Sequence, residues 1–265
     1  MAERVGFALV GLVLISAVAG PLLTGADPFA TEVAAALLPP GAEHPFGTDH
    51  LGRDMLARVV GAARLDFGLA VAAVALAAGL GASVGAVAGW FGGWADRLAG
   101  WAVDLLLALP IYLLAMVLAV GIGNGLLVVV LATSVVNVPF FLRLVRTEVA
   151  RQRRSPWVDA ARMGGAADRT ILFKMVVPRV LPLVAVQGTT NLGWAMLNAA
   201  GLSFIGVGVR PPTPEWGILI AEGARYLASG HWWLVVFPGL ALALSVLAFH
   251  LTGDALRDRL ARGPA

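Results

Sequence analysis

FGLAVAAVALAAGLGASVGAVAGW, residues Phe67–Trp90, runs for 24 positions without a charged side chain. A helix rises 1.5 Å per residue, so the run would be about 36 Å long. That exceeds the ~30 Å hydrocarbon core of a bilayer. Working outward from it, five more apolar runs appear at Val5–Leu23, Leu98–Val120, Leu126–Leu142, Val180–Phe204 and Trp232–Thr252. Together they predict an all-α, polytopic membrane protein with six transmembrane helices. A β-barrel would alternate apolar and polar residues instead.

The composition agrees. Mean hydropathy is +0.84. Only 13% of the 265 residues are charged, against about 25% in a soluble domain. With no cysteine, disulfides and thiolate metal sites are excluded. The first run can also be read as a cleaved signal peptide. Arg4 gives it a positive start, and "SAVAG" offers a small-residue site at Ala17–Ala19.

Six spans place both termini on one side. That side carries fourteen of the nineteen Lys and Arg residues: Arg4, Arg97, nine from Arg143 to Arg179, then Arg257, Arg259 and Arg262. The other side carries Arg53, Arg58, Arg64, Arg210 and Arg225, outnumbered by eight acids. The positive-inside rule therefore predicts cytoplasmic termini and a long cytoplasmic loop after the fourth span. The high pI follows from this asymmetry. No basic patch with interleaved aromatics accompanies it, so nucleic acid is not an expected partner.

The long loop contains SPWVDAARMGGAADRTILFKMVVP, Ser155–Pro178. Ser155 suits an N-cap and Pro156 the first helical position. A short helix is predicted to about Met163, ended by Gly164 and Gly165. Trp157, Ala160, Ala161 and Gly164 fall on one face of it. Three of these are very small, so another surface could approach closely. Asp159 and Arg162 can pair at i, i+3. A second helix is predicted from Asp168 to Val177, closed by Pro178. Taken alone, the segment is equally an amphipathic hairpin on anionic lipid.

The residue order resembles the signature loop of ABC importer permeases: E-A-A, three residues, G, nine residues, I-x-L-P. Asp159-Ala160-Ala161 stands for E-A-A, Gly165 for the glycine, and Met175, Val177 and Pro178 for the end of the motif. Asp for Glu, Met for Ile and Val for Leu are departures. Three more stretches resemble the second permease of dipeptide, oligopeptide and nickel importers. They are HPFGTDHLGRDMLARVVGAAR (His44–Arg64), GLSFIGVGVRPPTPEWG (Gly201–Gly217) and GDALRD (Gly253–Asp258).

The resemblance implies the type I importer permease fold. Residues 1–44 would form an N-terminal helix with an external linker. Residues 45–265 would form a five-helix core holding a cytoplasmic coupling loop at 146–179. It implies a bacterial inner-membrane location and four partners: a homologous permease in a heterodimer, two ATP-binding subunits or domains, an external substrate-binding protein, and the lipid bilayer. Peptides and nickel both remain open as cargo. ATP would be bound by the partner, with no cofactor or metal of this chain's own.

The residues agree that ATP chemistry lies elsewhere. The lone lysine, Lys174, sits between Phe173 and Met175, so no Walker A motif is possible. No H-E-x-x-H and no G-x-S-x-G motif is read. His44 and His50 could meet a metal such as nickel, but two histidines in a loop are more often surface residues, and no metal site is assigned.

Two stripes lie inside the spans. Ala73, Ala77, Gly81, Gly85 and Gly89 repeat every four residues, which predicts close helix packing. Gln187, Asn191, Trp194 and Asn198 share a face of the fifth span. They predict either a lining of the translocation path or hydrogen bonding between helices. Asp104 is read as the only acid clearly within a span, near its cytoplasmic edge. A proton-coupled secondary transporter would want a central carboxylate with a basic partner, so that alternative class is the weaker reading.

Overall fold

The computed structural model describes residues 2–262. Residues 1 and 263–265, which the two expected domains include, lie outside them. The described chain is helical. In order come α1 (Ala2–Thr24), α2 (Met55–Phe91), α3 (Gly93–Ala108), α4 (Ile111–Ile122), α5 (Leu126–Arg153), α6 (Pro156–Met163) and α7 (Asp168–Thr170). A π-helical stretch (Ile171–Val176), α8 (Val177–Phe204), α9 (Trp216–Ala224) and α10 (Trp233–Arg262) complete it.

Four helical stretches are long and apolar enough to cross a bilayer: Met55–Phe91, Leu126–Arg153, Asp168–Phe204 and Trp233–Leu260. The expected third span is broken. Helices α3 and α4 meet at 90°, with Leu109 and Pro110 both in extended backbone. A residue preceding proline is pushed out of the α region, and Leu109 is that residue.

The small-residue stripe of α2 lies against α5. A Cβ on Gly81 would come within 2.7 Å of the Val138 carbonyl, and one on Gly85 within 2.6 Å of the Leu142 carbonyl. One on Gly89 would strike the Arg146 carbonyl. Above the glycines, Ser134 on α5 donates to the Ala73 carbonyl at 3.0 Å. The two backbones are therefore nearly in contact over about two turns of α2, from Gly81 to Gly89. Helix α1 lies along α2 and α10.

Proline 178 does not close a helix, contrary to the sequence expectation. The backbone stays in the right-handed helical region from Thr170 through Val177. The Val177 N–H reaches five residues back to Leu172. Proline cannot donate, and its ring crowds the carbonyl four residues earlier. The wider π register just before it lets the chain pass without a break.

The segment before α2 is fixed by ionic contacts. Arg53 Nε meets Asp49 at 2.6 Å and Arg58 Nε meets the same carboxylate at 3.5 Å. Glu222, on α9, reaches Arg58 at 3.4 Å and Arg53 at 3.7 Å. Asp49 and both arginines are buried. Trp233, at the head of α10, donates its indole N–H to the Thr48 carbonyl at 3.1 Å. The linker, α9 and α10 are thereby tied together.

Candidate functional site

The loop after α5 has the expected short helix with the predicted boundaries, although the Ser155 side chain makes no capping hydrogen bond. Ser155 precedes α6 in extended backbone, with Pro156 in the first turn. Gly165 takes φ +85°, a conformation open to glycine at little cost. The Gly165 N–H then returns to the Arg162 carbonyl at 2.9 Å and the Ala166 N–H to that of Ala161 at 3.1 Å.

The faces of α6 differ from the sequence reading. Val158 is the inward residue, fully buried with Val149, Ile171 and Val176. Trp157 is half-buried and covered by Arg179, whose guanidinium sits 4.2 Å from the ring centroid. Ala161 is half-buried too, while Ala160 and Gly164 are exposed. Met163 is 84% exposed. The open face is thus Ala160, Met163 and Gly164, without an aromatic anchor. Arg162 pairs with Asp159 at 3.4 Å as expected, and also with Asp168 at 3.1 Å, beyond the helix end. Pro178 lies one helical segment away, inside the continuous rod.

The polar stripe of α8 divides into two fates. Gln187 donates to Asn191 at 2.8 Å. Asn191 is buried and donates to Asn137 of α5 at 3.0 Å. Asn137 in turn donates to the Thr133 carbonyl at 2.7 Å. This half of the stripe cross-links two long apolar helices. Trp194 is 51% exposed, edge-on to His250 of α10 at 6.4 Å, and Asn198 is half-buried. Asn137 was missed in sequence, although a polar residue inside the run Leu126–Leu142 was the available signal.

Two other acids change the reading of the spans. Asp104 is exposed and lies 3.7 Å from Arg143. It is not the only acid within a long apolar helix, because Asp66 is buried in α2. Asp66 accepts the N–H of Trp216, the residue after Glu215, at 3.1 Å. Glu215 caps α9 by accepting the Ile218 N–H at 2.9 Å. Burial pushes the Glu215 carboxyl above its ordinary range, against the lowering by its hydrogen bonds.

The letters Gly81-Ala82-Ser83-Val84-Gly85 do fit G-x-S-x-G, which corrects the motif reading. They lie in mid-helix α2, and Ser83 donates to the Gly79 carbonyl at 2.7 Å. A nucleophile elbow needs a strand-to-helix turn; this serine sits in none. His44 is bound to Asp54 at 2.9 Å and His50 stacks on Tyr226. Each ring has its own partner within the fold.

The family of binding-protein-dependent transport system inner membrane components matches residues 81–264, spanning α6, the π stretch and α8. The chain belongs to that family. The permease is 39% identical over 258 residues to the dipeptide transport system permease protein DppC of Alkalihalophilus pseudofirmus, covering 96% of this chain and 84% of the relative. It is 38% identical over 215 residues to the di/tripeptide transport system permease protein DppC of Pseudomonas aeruginosa, 81% of this chain and 71% of the relative. It is 40% identical over 222 residues to the glutathione transport system permease protein GsiD of Escherichia coli, 83% of this chain and 73% of the relative. The permease is a multi-pass inner-membrane transport component and not an enzyme.

Proposed function

We propose that this permease forms half of a translocation path for di- or oligopeptides and takes its drive from a separate ATPase docked on α6. The relatives described above are named for peptide substrates, which favours peptides over the nickel reading. The observation that carries the coupling role is the build of α6. It is a two-turn helix, anchored inward by Val158, with the small residues Ala160 and Gly164 beside Met163 on its open face. A face of that kind admits a partner closely and offers a flexible apolar side chain to fill its groove.

In this reading the chain crosses the membrane six times: α1, α2, the bent α3–α4 pair, α5, the rod Asp168–Phe204, and α10. Both termini and α6 are cytoplasmic, as the arginine distribution requires. The partners are a homologous permease in a heterodimer, two ATP-binding subunits and an external substrate-binding protein. ATP stays on the partner subunits, and this chain holds no cofactor or metal. Closure of the ATPases moves α6, Val158 passes the motion to α5 and the π stretch, and the helices tilt between outward- and inward-facing states. The stripe Gln187, Asn191, Trp194 and Asn198 borders the path, with Trp194 the member turned away from this chain's own core.

Co-purification tests the reading. The chain is expressed with its genomic neighbours and captured from mild detergent, as wild type and as Ala160→Glu/Met163→Glu. Both substitutions sit on the open face and leave Val158 in place. An ATPase retained by wild type and lost from the variant is the expected result. Absence of an ATPase from both would end the coupling assignment. The co-encoded binding protein then separates peptides from nickel by direct titration with each.

A further inference from the structure

Asp66 and Glu215 are acids for which the transport reading has no task. Asp66 is 3% exposed on α2, and Glu215 is fully buried at the head of α9. Asp66 Oδ2 accepts from the Trp216 N–H and Glu215 Oε2 from the Ile218 N–H. Trp216 directly follows Glu215 in the chain, so its hydrogen bond to Asp66 brings the two buried carboxyl groups next to each other. Ionised carboxyl oxygens only accept, so two of them side by side favour a proton on one. The hydroxyl of Ser203, on α8, is buried as well. Neither that hydroxyl nor Glu215 Oε1 has a well-formed hydrogen-bond partner.

Among the described residues, no cation is set against the pair. On α2, Arg58 is two turns away and engaged with Asp49 and Glu222, and Arg64 is exposed. Helix α8 has no ionisable residue between Leu181 and Phe204, α10 has none between Trp233 and Phe249, and α5 has none before Arg143. Glu222 is the one other acid on α9, and it faces the arginine cluster.

We propose that Asp66 and Glu215 form a buried proton-binding site whose shared proton holds α9 onto α2. Loss of that proton would leave two like charges side by side in a dry site. Helix α9 has little room to adjust in place. A Cβ on Gly217 would strike the Ala200 carbonyl of α8, and one on Gly223 would come within 2.6 Å of the Leu234 carbonyl of α10. Relief would come from the Trp216 end of α9 moving off α2, while Glu222 stays with Arg58 and Arg53. The raised Glu215 carboxyl gives the sign. Docking is fully stabilised below the ordinary glutamate range and is weakened as pH rises through the raised value. One proton changes the opening equilibrium by at most about tenfold per pH unit.

The test is hydrogen exchange of the peptide covering 216–224. The full chain, with its co-purified partners, is held in lipid nanodiscs between pH 5 and 9, and the intrinsic rate is corrected at each pH. Wild type is expected to lose protection progressively toward the alkaline end, by up to about tenfold per unit. Asp66→Asn and Glu215→Gln keep a donor without needing the proton, so their corrected profiles should be flat. Flat wild-type protection, or a slope that survives in both variants, overturns the proposal. If one variant fails to fold, the other decides. The readout is α9 itself, so a failure here is distinguishable from a wrong substrate or partner.

Discussion

Asn191 of α8 donates a hydrogen bond to Asn137 of α5 at 3.0 Å, with both side chains buried between two long apolar helices. Neither amide has water to turn to. Replacing Asn191 by Leu leaves the Asn137 carbonyl oxygen without its donor. Such orphaning costs about 1–3 kcal/mol in soluble proteins, but hydrogen bonds between membrane helices average only about 0.6 kcal/mol. A loss of about 1 kcal/mol is expected for Asn191→Leu. The double variant Asn137→Leu/Asn191→Leu should lose less than the sum of the singles. Unfolding in mixed micelles measures this, and strict additivity would show that the two residues are not coupled.

Helix α2 supplies a matched pair of glycines. A Cβ on Gly85 meets the α5 backbone at 2.6 Å, whereas one on Gly79 meets nothing within 4 Å. Gly85→Ala should force α2 and α5 apart and lower the yield of folded protein, at a cost of about 1–3 kcal/mol. Gly79→Ala should be neutral or slightly stabilising, because alanine is the better helix former. Thermal stability of both variants in one detergent separates them; equal behaviour would contradict the close approach.

The Asp49–Arg53–Arg58–Glu222 cluster predicts a large loss from a small change. Asp49→Asn keeps the shape and removes the charge that both arginines share. Breaking a buried ion pair from one side costs about 3–5 kcal/mol. Asp254→Asn, from the exposed Arg257–Asp254 pair at 3.9 Å, should change nothing measurable. Melting temperatures compared in lipid would expose a cluster that contributes no stability.

Val158 offers a test of coupling that leaves the open face of α6 alone. Val158→Asp places an unpaired charge in an apolar site, which is strongly unfavourable. Loop and helix core should separate. Under the proposed function, ATPase subunits still associate, but stimulation of ATP hydrolysis by the loaded binding protein is lost. Undiminished stimulation in proteoliposomes would show that Val158 does not transmit the movement.

Much of this architecture was legible in the residue order. The glycine stripe announced a close helix contact, though not that α5 would supply the other side. Ser155, Pro156 and the double glycine marked both ends of α6, because caps are local chemistry. The break at Leu109–Pro110 was also readable, since the restriction on the residue before proline is local, but the apolar run masked it. The passage of the helix through Pro178 was not readable. It depends on a π register, and packing of Ile171, Leu172 and Val176 against the neighbouring helices supports that register after the chain has collapsed. The inward role of Val158 was hidden for a related reason. Helical phase assigns faces, but only the rest of the fold decides which face is covered. Asp66 was counted with the external acids because it sits one residue before the uncharged run that defined the span.

The π stretch gives the nine-residue spacer of the loop signature a geometric meaning. From Ala167 onward, each residue inserted or deleted before Pro178 would rotate everything after it by about 100° about the helix axis. A deletion within the π stretch is the exception, because the wide turn can shorten to an ordinary one and keep Asn191 on Asn137. The spacer therefore acts as an angular setting: its length fixes the azimuth at which a 28-residue rod, α8, presents its polar edge to the rest of the transporter.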